Sequence, residues 1–175
     1  FAAVFLMMFF GCFLYSGITG EWGGLKKHFE DYIRSQNLAD VWAYDTAFTK
    51  EELEKLEQDT RVTEAEERMA VPMGIQGQED ASLDCIFAKD NRISKLYIRE
   101  GIPFDSSKKG IWLDASFAEE NNLKVGDRLT LTYQGLEITG EIAGLADSPE
   151  YIYGVRDGSM MPEHRLYGFA WISPR

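Results

Sequence analysis

The first 20 residues of the chain contain no charged side chain, and the first charge is that of Glu21. Phe, Leu, Met, Val and Ala fill most of this stretch. A helix of about 20 residues rises roughly 30 Å, which matches the hydrocarbon core of a bilayer. We therefore predict that residues 1–20 form a transmembrane helix, or the last part of one, with a folded domain attached to its end.

Other interpretations of this apolar segment stay open. A cleaved signal peptide would need a basic region before the apolar segment, and this sequence has none. Because the chain begins with Phe1, we interpret it as a segment of a longer protein, from which such a region could have been removed. A lipoprotein signal is a variant, because Gly11-Cys12 is similar to the end of a lipobox. A pilin-like helix also begins with Phe, but Phe5 stands where pilins carry Glu. A core helix is disfavoured, because a helix that is apolar on every face needs protein on all sides.

Cysteine is almost absent, with two residues in the whole chain. Cys12 belongs to the apolar segment and Cys85 to a predicted strand, so we expect them to lie far apart and to form no disulfide. Cys85 alternates with Leu83 and Phe87, which predicts a small core residue.

Basic side chains are outnumbered: the chain has 18 Lys and Arg against 29 Asp and Glu, and its formal net charge is -11. An acidic surface repels phosphate backbones and anionic headgroups, so we expect no nucleic-acid partner. About 150 residues follow the apolar segment, which suffices for one domain of ordinary size or two small ones.

Catalytic patterns are lacking as well. His28 and His164 are the only histidines, and we interpret both as exposed polar residues. Glu64, Glu66 and Glu67 could bind calcium only if other oxygens converged on them, and a solvated strand face is the favoured interpretation. The chain has no Gly-Lys-Ser/Thr phosphate loop. We therefore predict a protein that is not an enzyme, with no catalytic residue, no metal site and no cofactor.

Helical spacing continues past the apolar segment and predicts an amphipathic stalk helix over residues 21–37. The apolar residues that recur at this spacing are Trp22, Leu25, Phe29, Tyr32 and Ile33. Residues 40–44 follow as a predicted short strand, because Val41, Trp42 and Tyr44 have high β propensity.

The next helix has the strongest local signal. Thr49 is a predicted N-cap, Glu52 completes a Thr-x-x-Glu capping box, and Phe48 can pack on Leu53. We expect Leu53 and Leu56 to face the core and the helix to end near residues 58–60.

Short strands and turns dominate the rest of the chain. We predict a strand over residues 61–74, where Pro72 indicates an edge or a bulge, and a short helix over 115–121 capped by Asp114. Further strands are predicted at residues 82–88, 111–113, 129–133, 136–142, 151–155 and 167–172. The short strands with tight turns suggest a small, bent sheet or barrel within an α+β fold.

Three stretches of the chain form a recognisable pattern. In the first, the apolar helix and stalk lead into ADVWAY at residues 39–44; in the second, IWLDASFA at 111–118 leads through NLKVGD at 122–127 to LTL at 129–131. In the third, residues 138–144 precede SPEY at 148–151, and Tyr167-Gly168 follows near the end. This arrangement resembles the first extracytoplasmic domain of permease subunits of ABC transporters of the FtsX/MacB/LolC-E type. The middle stretch is the most specific of the three.

The resemblance implies a porter-like α+β subdomain, formed by residues 38–92 and 149–175, with a small β-rich, barrel-like insertion at residues 93–148. It implies a domain on the extracytoplasmic side of the cell membrane that relays ATP-driven helix movement outward (mechanotransmission). The implied partners are a cytoplasmic ABC ATPase subunit, a second permease half, and an external peptide, lipid or protein substrate. The alternative is a membrane-anchored or lipoprotein ligand-binding module without an ATPase partner.

One tract is a candidate for contact with such a partner. Its residues, Tyr151, Tyr153, Met160, Met161 and Tyr167, are aromatic or Met side chains around a Gly-containing loop. Surfaces of this composition are frequent in protein interfaces, and core packing of the tyrosines is the competing interpretation.

Overall fold

A computed structural model of the protein describes residues 1–45, 48–155 and 160–173. The chain divides into two compact units, Phe1–Ser35 and Gln36–Arg175. The middle of the Gly-containing loop predicted between Tyr153 and Met160 lies outside the described residues.

The first unit is one α-helix, α1 (Ala2–Ser35), of 34 residues. The predicted membrane segment and the predicted stalk are therefore parts of a single helix, and none of its residues is buried. Among the described residues, α1 is one helix that is long and apolar enough to cross a membrane, and an N-terminal signal sequence has the same properties.

The second unit is built mainly of strands. Its described residues form β1 (Arg68–Ile75), β2 (Gln78–Ala88), β3 (Tyr97–Gly101), β4 (Ile111–Asp114), β5 (Arg128–Tyr133), β6 (Leu136–Asp147) and β7 (Tyr167–Ile172), together with helices α2 (Lys50–Gln58) and α3 (Ala115–Glu120) and a 3-10 helix (Pro149–Tyr151).

Six of these strands close into a barrel in the order β6-β4-β7-β2-β1-β5, because β5 also pairs with β6. The β2–β7 and β4–β6 pairs are parallel and the others are antiparallel. The β1–β5 contact joins only Gly74 to Thr132 and Ile75 to Leu131, so the barrel closes at one end of β1. Strand β3 lies outside the barrel, paired with the C-terminal half of β6.

Apolar side chains fill both faces of strands β2, β4 and β7. The barrel interior holds Leu83, Leu113 and Ala170, with Phe117 of α3 packed among them. The opposite face buries Trp112 and Trp171 in a second cluster. Strands covered on both faces read as continuous apolar runs, which explains IWL in β4 and FAWI in β7.

Several predicted elements are confirmed. Thr49 and Glu52 form the capping box of α2, and Asp114 caps α3 by accepting from the backbone N–H groups of Ser116 and Phe117. Pro72 lies on β1 where that strand pairs with β2 alone, as expected for an edge position. Cys85 is fully buried, and burial raises the pKa of its thiol to about 12, as expected for an unreactive core residue.

Other predicted elements are wrong. Residues 40–44 form no strand and lie exposed, since β propensity produces a strand only where a neighbouring strand offers hydrogen bonds. Residues 61–67 precede β1 without joining it, and residues 151–155 begin in the 3-10 helix and a turn. Leu56 of α2 is exposed and does not face a core.

In coarse form the predicted architecture is present: a long apolar N-terminal helix, followed by a sheet domain with a closed barrel. Strands from the predicted porter-like ranges (β1, β2 and β7) and from the predicted insertion (β4, β5 and β6) share this one barrel. The porter-like subdomain and its bounds stay a prediction.

Candidate functional site

The chain that follows α1 is bound to the body of the second unit over residues 36–39, which we name the attachment segment. The carbonyl oxygens of Gln36 and Asn37 accept from the backbone N–H groups of Lys95 and Ser94, each at 2.7 Å. The hydroxyl of Ser94 accepts from the N–H of Ala39 at 3.1 Å. Ser94 is fully buried and has a positive φ of 46°, so its loop is turned to present both groups to the attachment segment.

The loop that receives the attachment segment is itself anchored by a glutamate. One carboxylate oxygen of Glu66 accepts from the backbone N–H groups of Arg92 and Ile93, at 3.1 and 3.0 Å. The side-chain amide of Asn37 donates to the carbonyl oxygen of Arg92 at 2.9 Å. Both side chains therefore bind this loop, Glu66 through two backbone N–H groups and Asn37 through a carbonyl oxygen.

Arg68 connects this glutamate to a second one, and we call Glu66, Arg68 and Glu150 the Arg68 network. The guanidinium donates to Glu66 at 2.9 Å and to Glu150 at 3.1 Å, and it also donates to the carbonyl oxygen of Ile93. The three side chains are only 4% (Glu66), 14% (Arg68) and 18% (Glu150) exposed. Charges so far removed from water are stable only when paired, so each member depends on the others.

The guanidinium also lies on the core. Its central carbon is 4.4 Å from the ring centroid of Trp171, whose ring is fully buried in the second apolar cluster. A cation over an indole face in a desolvated position contributes about 2 kcal/mol. The Arg68 network thus joins the loops of residues 91–95 and 148–151 to the outer face of the barrel.

Next to the network lies an open cavity of about 260 Å³, which we name the aromatic groove. Its lining residues are Leu38, Trp42, Tyr44, Pro149, Glu150 and Tyr151. The indole N–H of Trp42 donates to Glu150 at 3.3 Å, which fixes this ring although the side chain is 46% exposed. Tyr44 is 89% exposed and lies at the groove without shelter from solvent.

The five predicted contact residues fall into two groups. Tyr151 and Tyr167 point inward: both hydroxyls donate to one carboxylate oxygen of Asp84, at 3.1 and 2.6 Å. Burial, and then the nearby charge of Asp84, raise the pKa of Tyr151. Tyr153, Met160 and Met161 are exposed, and the hydroxyl of Tyr153 donates to the carbonyl oxygen of Met160 at 2.8 Å.

We expect Tyr167→Phe to lower the free energy of unfolding by about 1.5–3 kcal/mol, the cost of a hydrogen bond to a charged group. The matched control is Tyr153→Phe, whose exposed hydroxyl bonds a backbone carbonyl and should change stability by less than about 0.5 kcal/mol. Urea unfolding of the intact protein in detergent, followed by tryptophan fluorescence, measures both. Equal effects would show that the Asp84 contact has no structural importance.

The remaining candidates for chemistry are three glutamates before β1 and the two histidines. Glu64, Glu66 and Glu67 precede β1 and do not form a strand face. One carboxylate oxygen of Glu66 accepts from Arg68, and the other accepts from two backbone N–H groups. Among the described residues, no group of three or more His, Cys, Asp or Glu side chains is placed to hold a metal ion. His28 is exposed on α1, and His164 lies in a turn before β7.

Sequence reasoning missed Arg68, Glu150 and Ser94. Apart from the Arg68–Glu66 pair, which is two positions apart, these partners lie 25 to 108 positions away along the chain, so no local pattern identifies them. One signal was available: Arg68 is the basic residue that directly follows the acidic run of residues 64–67 and opens an apolar strand.

Comparison with known proteins adds no family to this description. The roles of the attachment segment, the Arg68 network and the aromatic groove therefore follow from their own contacts and charges. A scan against protein-family models and a search of curated proteins each found no match for the chain.

Proposed function

We propose that this chain is the extracytoplasmic domain of an ABC transporter permease of the FtsX/MacB/LolC-E type. In this role α1 spans the membrane, and the barrel carries ATP-driven movement of the membrane helices to a substrate or partner outside. The domain itself is not an enzyme. A cytoplasmic ATPase subunit and a second permease half complete the transporter.

The observation that carries this proposal is the attachment segment. A force on the C-terminal end of α1 acts first on Gln36, because the two are covalently continuous. Four hydrogen bonds from residues 36–39 pass that force to the loop of residues 92–95, and Glu66 and Arg68 pass it to the barrel. Buried, mutually dependent ion pairs resist rearrangement, which suits an element that must move as a rigid body.

A proline in the stalk tests the coupling. Leu25→Pro removes an i→i−4 hydrogen bond and costs about 3 kcal/mol of helix stability, whereas Leu25→Ala keeps the helix. We expect ATP with vanadate to change amide hydrogen exchange in residues 36–39 and 92–95 of the native permease–ATPase complex by about fivefold or more. This change should persist in Leu25→Ala and be lost in Leu25→Pro.

Two results would contradict the proposal. One is an intact protein that purifies from its own membrane without an ATPase subunit. The other is exchange in these segments that does not respond to nucleotide, or that responds equally in Leu25→Pro. Retained ATP hydrolysis and an unchanged thermal transition of the barrel in Leu25→Pro are the controls for global damage.

The aromatic groove favours a second candidate function, that of a membrane-anchored or lipoprotein ligand-binding module without an ATPase. Ligand sites are concave and combine aromatic side chains with a few polar groups, and the groove has both in Trp42, Tyr44 and Glu150. Cys12 is exposed on α1 and would be the lipidated residue in the lipoprotein form. Mass spectrometry of the native protein separates the two, since a lipidated N-terminal Cys12 is incompatible with a permease helix that continues before it.

A further inference from the structure

We infer that the aromatic groove is a docking site for a basic polypeptide segment that carries an apolar anchor side chain. This inference names the kind of partner and does not depend on coupling to ATP hydrolysis. It rests on three properties of the groove: exposed aromatic area, fixed geometry and the sign of its charge.

The groove exposes aromatic surface to solvent. Tyr44 is 89% exposed and Trp42 is 46% exposed at the lining. Exposed aromatic and apolar side chains gathered in one place are characteristic of interaction sites, and Trp and Tyr contribute most of the binding energy at interfaces. An apolar side chain of a partner would remove this surface from water.

Two of the three aromatic side chains of the groove, Trp42 and Tyr151, are also fixed before any partner arrives. The Trp42 indole is held by Glu150, Glu150 is held by Arg68, and the Tyr151 hydroxyl is held by Asp84. The attachment segment fixes residue 38, which lines the groove between the bonded residues Asn37 and Ala39. Aromatic walls that are already ordered cost little conformational entropy when a ligand binds.

Charge selects a cationic partner. The two segments that supply the lining, residues 36–45 and 148–155, contain Asp40, Asp45 and Glu150 and no Lys, Arg or His. Arg68, which contacts the lining residue Glu150, also contacts Glu66. Residues 1–35 carry three basic and three acidic side chains, so the whole net charge of -11 belongs to the unit that holds the groove. Complementary potential attracts basic segments and repels anionic lipid and nucleic acid.

The test is peptide binding to the intact protein in nanodiscs made of zwitterionic lipid, without nucleotide. The probe is a short fluorescent peptide with Lys at both ends and Leu-Trp-Leu in the middle. Two companion peptides replace Lys by Glu, or Leu-Trp-Leu by Ala. We expect the first peptide to bind at physiological salt and to weaken as salt rises, and each companion to bind at least about tenfold more weakly.

Matched variants place the binding in the groove. Asp40→Lys and Tyr44→Ser should each weaken binding of the basic peptide by about tenfold. Glu79→Lys makes the same change of net charge at an exposed position on β2 and should leave the affinity within about threefold. Both Asp40 and Tyr44 are exposed, so these variants should keep the native thermal transition.

Several outcomes would overturn the inference. Equal binding of the Lys and Glu peptides would mean unspecific apolar adhesion. Equal effects of Asp40→Lys and Glu79→Lys would place the peptide elsewhere. If no peptide binds and Tyr44→Ser instead changes the oligomeric state, a second copy of the chain covers the groove. None of these results bears on nucleotide-dependent exchange, so the proposed function can fail or stand separately.

Discussion

Replacing Arg68 by Met should lower the free energy of unfolding by about 3–5 kcal/mol, the cost of removing one partner from a buried ion pair. Met fills much of the same volume and retains contact with the Trp171 ring, so the loss would report mainly on charge. Glu66 and Glu150, whose side chains are 4% and 18% exposed, would keep their charges without the guanidinium. Urea unfolding of the intact protein in detergent at neutral pH measures the change.

Arg61 provides the control. Its guanidinium pairs with Asp59 at 2.6 Å, a shorter contact than Arg68 makes with either of its two glutamates, but its side chain is 87% exposed. Exposed ion pairs contribute about 0–1 kcal/mol, so Arg61→Met should change stability by no more than that. If both variants lose the same amount, burial does not determine the strength of the Arg68 network.

A further variant distinguishes the effect of losing the cation from the effect of leaving two buried carboxylates without a partner. In Glu66→Gln/Arg68→Met/Glu150→Gln the two buried charges are removed together with their partner. Replacing a buried ionic group by neutral residues of similar size is often nearly neutral for stability, so this variant should recover much of the loss. A triple variant as unstable as Arg68→Met would mean that the cation acts mainly through Trp171 and the carbonyl oxygen of Ile93.

Loss of Arg68 should also change the geometry of the aromatic groove. Glu150 accepts from both Arg68 and the Trp42 indole, so the glutamate that positions this ring would no longer be fixed. The stability of the barrel and the geometry of the proposed docking site are therefore linked through one carboxylate. This link also joins the groove to the attachment segment, because Glu66 and Arg68 both contact the loop that binds it.

Local sequence signals predicted the strands whose partners are close in the chain. Alternation in residues 129–133 and 136–142 predicted β5 and the first half of β6, which pair directly across the Gln134-Gly135 turn. The capping residues Thr49 and Asp114 act within a few positions, so they too could be recognised. Barrel closure could not, because the β1–β5 contact involves two residue pairs more than 50 positions apart.

The candidate site was predicted only in part for the same reason. Five aromatic and Met residues were proposed as a contact surface, but Tyr151 and Tyr167 point to Asp84, which lies 67 and 83 positions away. The sequence does not show where Asp84 lies in the fold. It could therefore not tell whether these two tyrosines face solvent or a half-buried partner. Trp42 and Tyr44 were assigned to a strand, but residues 40–44 form no strand, and both side chains line the groove.

Replacing Gly101 by Ala should lower the free energy of unfolding by about 3 kcal/mol or more, which exceeds the cost of a positive φ alone. Gly101 ends β3 with φ of 90°, and an added Cβ would lie 2.3 Å from the carbonyl oxygen of Ala143 and 2.7 Å from the Cα of Gly144. Both are backbone atoms of β6, so no side chain can turn aside to make room. The clash would force β3 away from the strand with which it pairs.

Gly77 isolates the contact from the backbone strain. Its φ of 82° is close to that of Gly101, but an added Cβ there would meet nothing within 4 Å. Gly77→Ala should therefore cost only the strain of the left-handed conformation, about 1–2 kcal/mol. Hydrogen exchange of the β3 amides should rise in Gly101→Ala and stay unchanged in Gly77→Ala, because only the first variant separates β3 from β6. The expectation is contradicted if the two variants have the same free energy of unfolding and the β3 amides stay protected in both. The backbone of β6 at Ala143 and Gly144 would then shift to accept the added methyl group at little cost in stability.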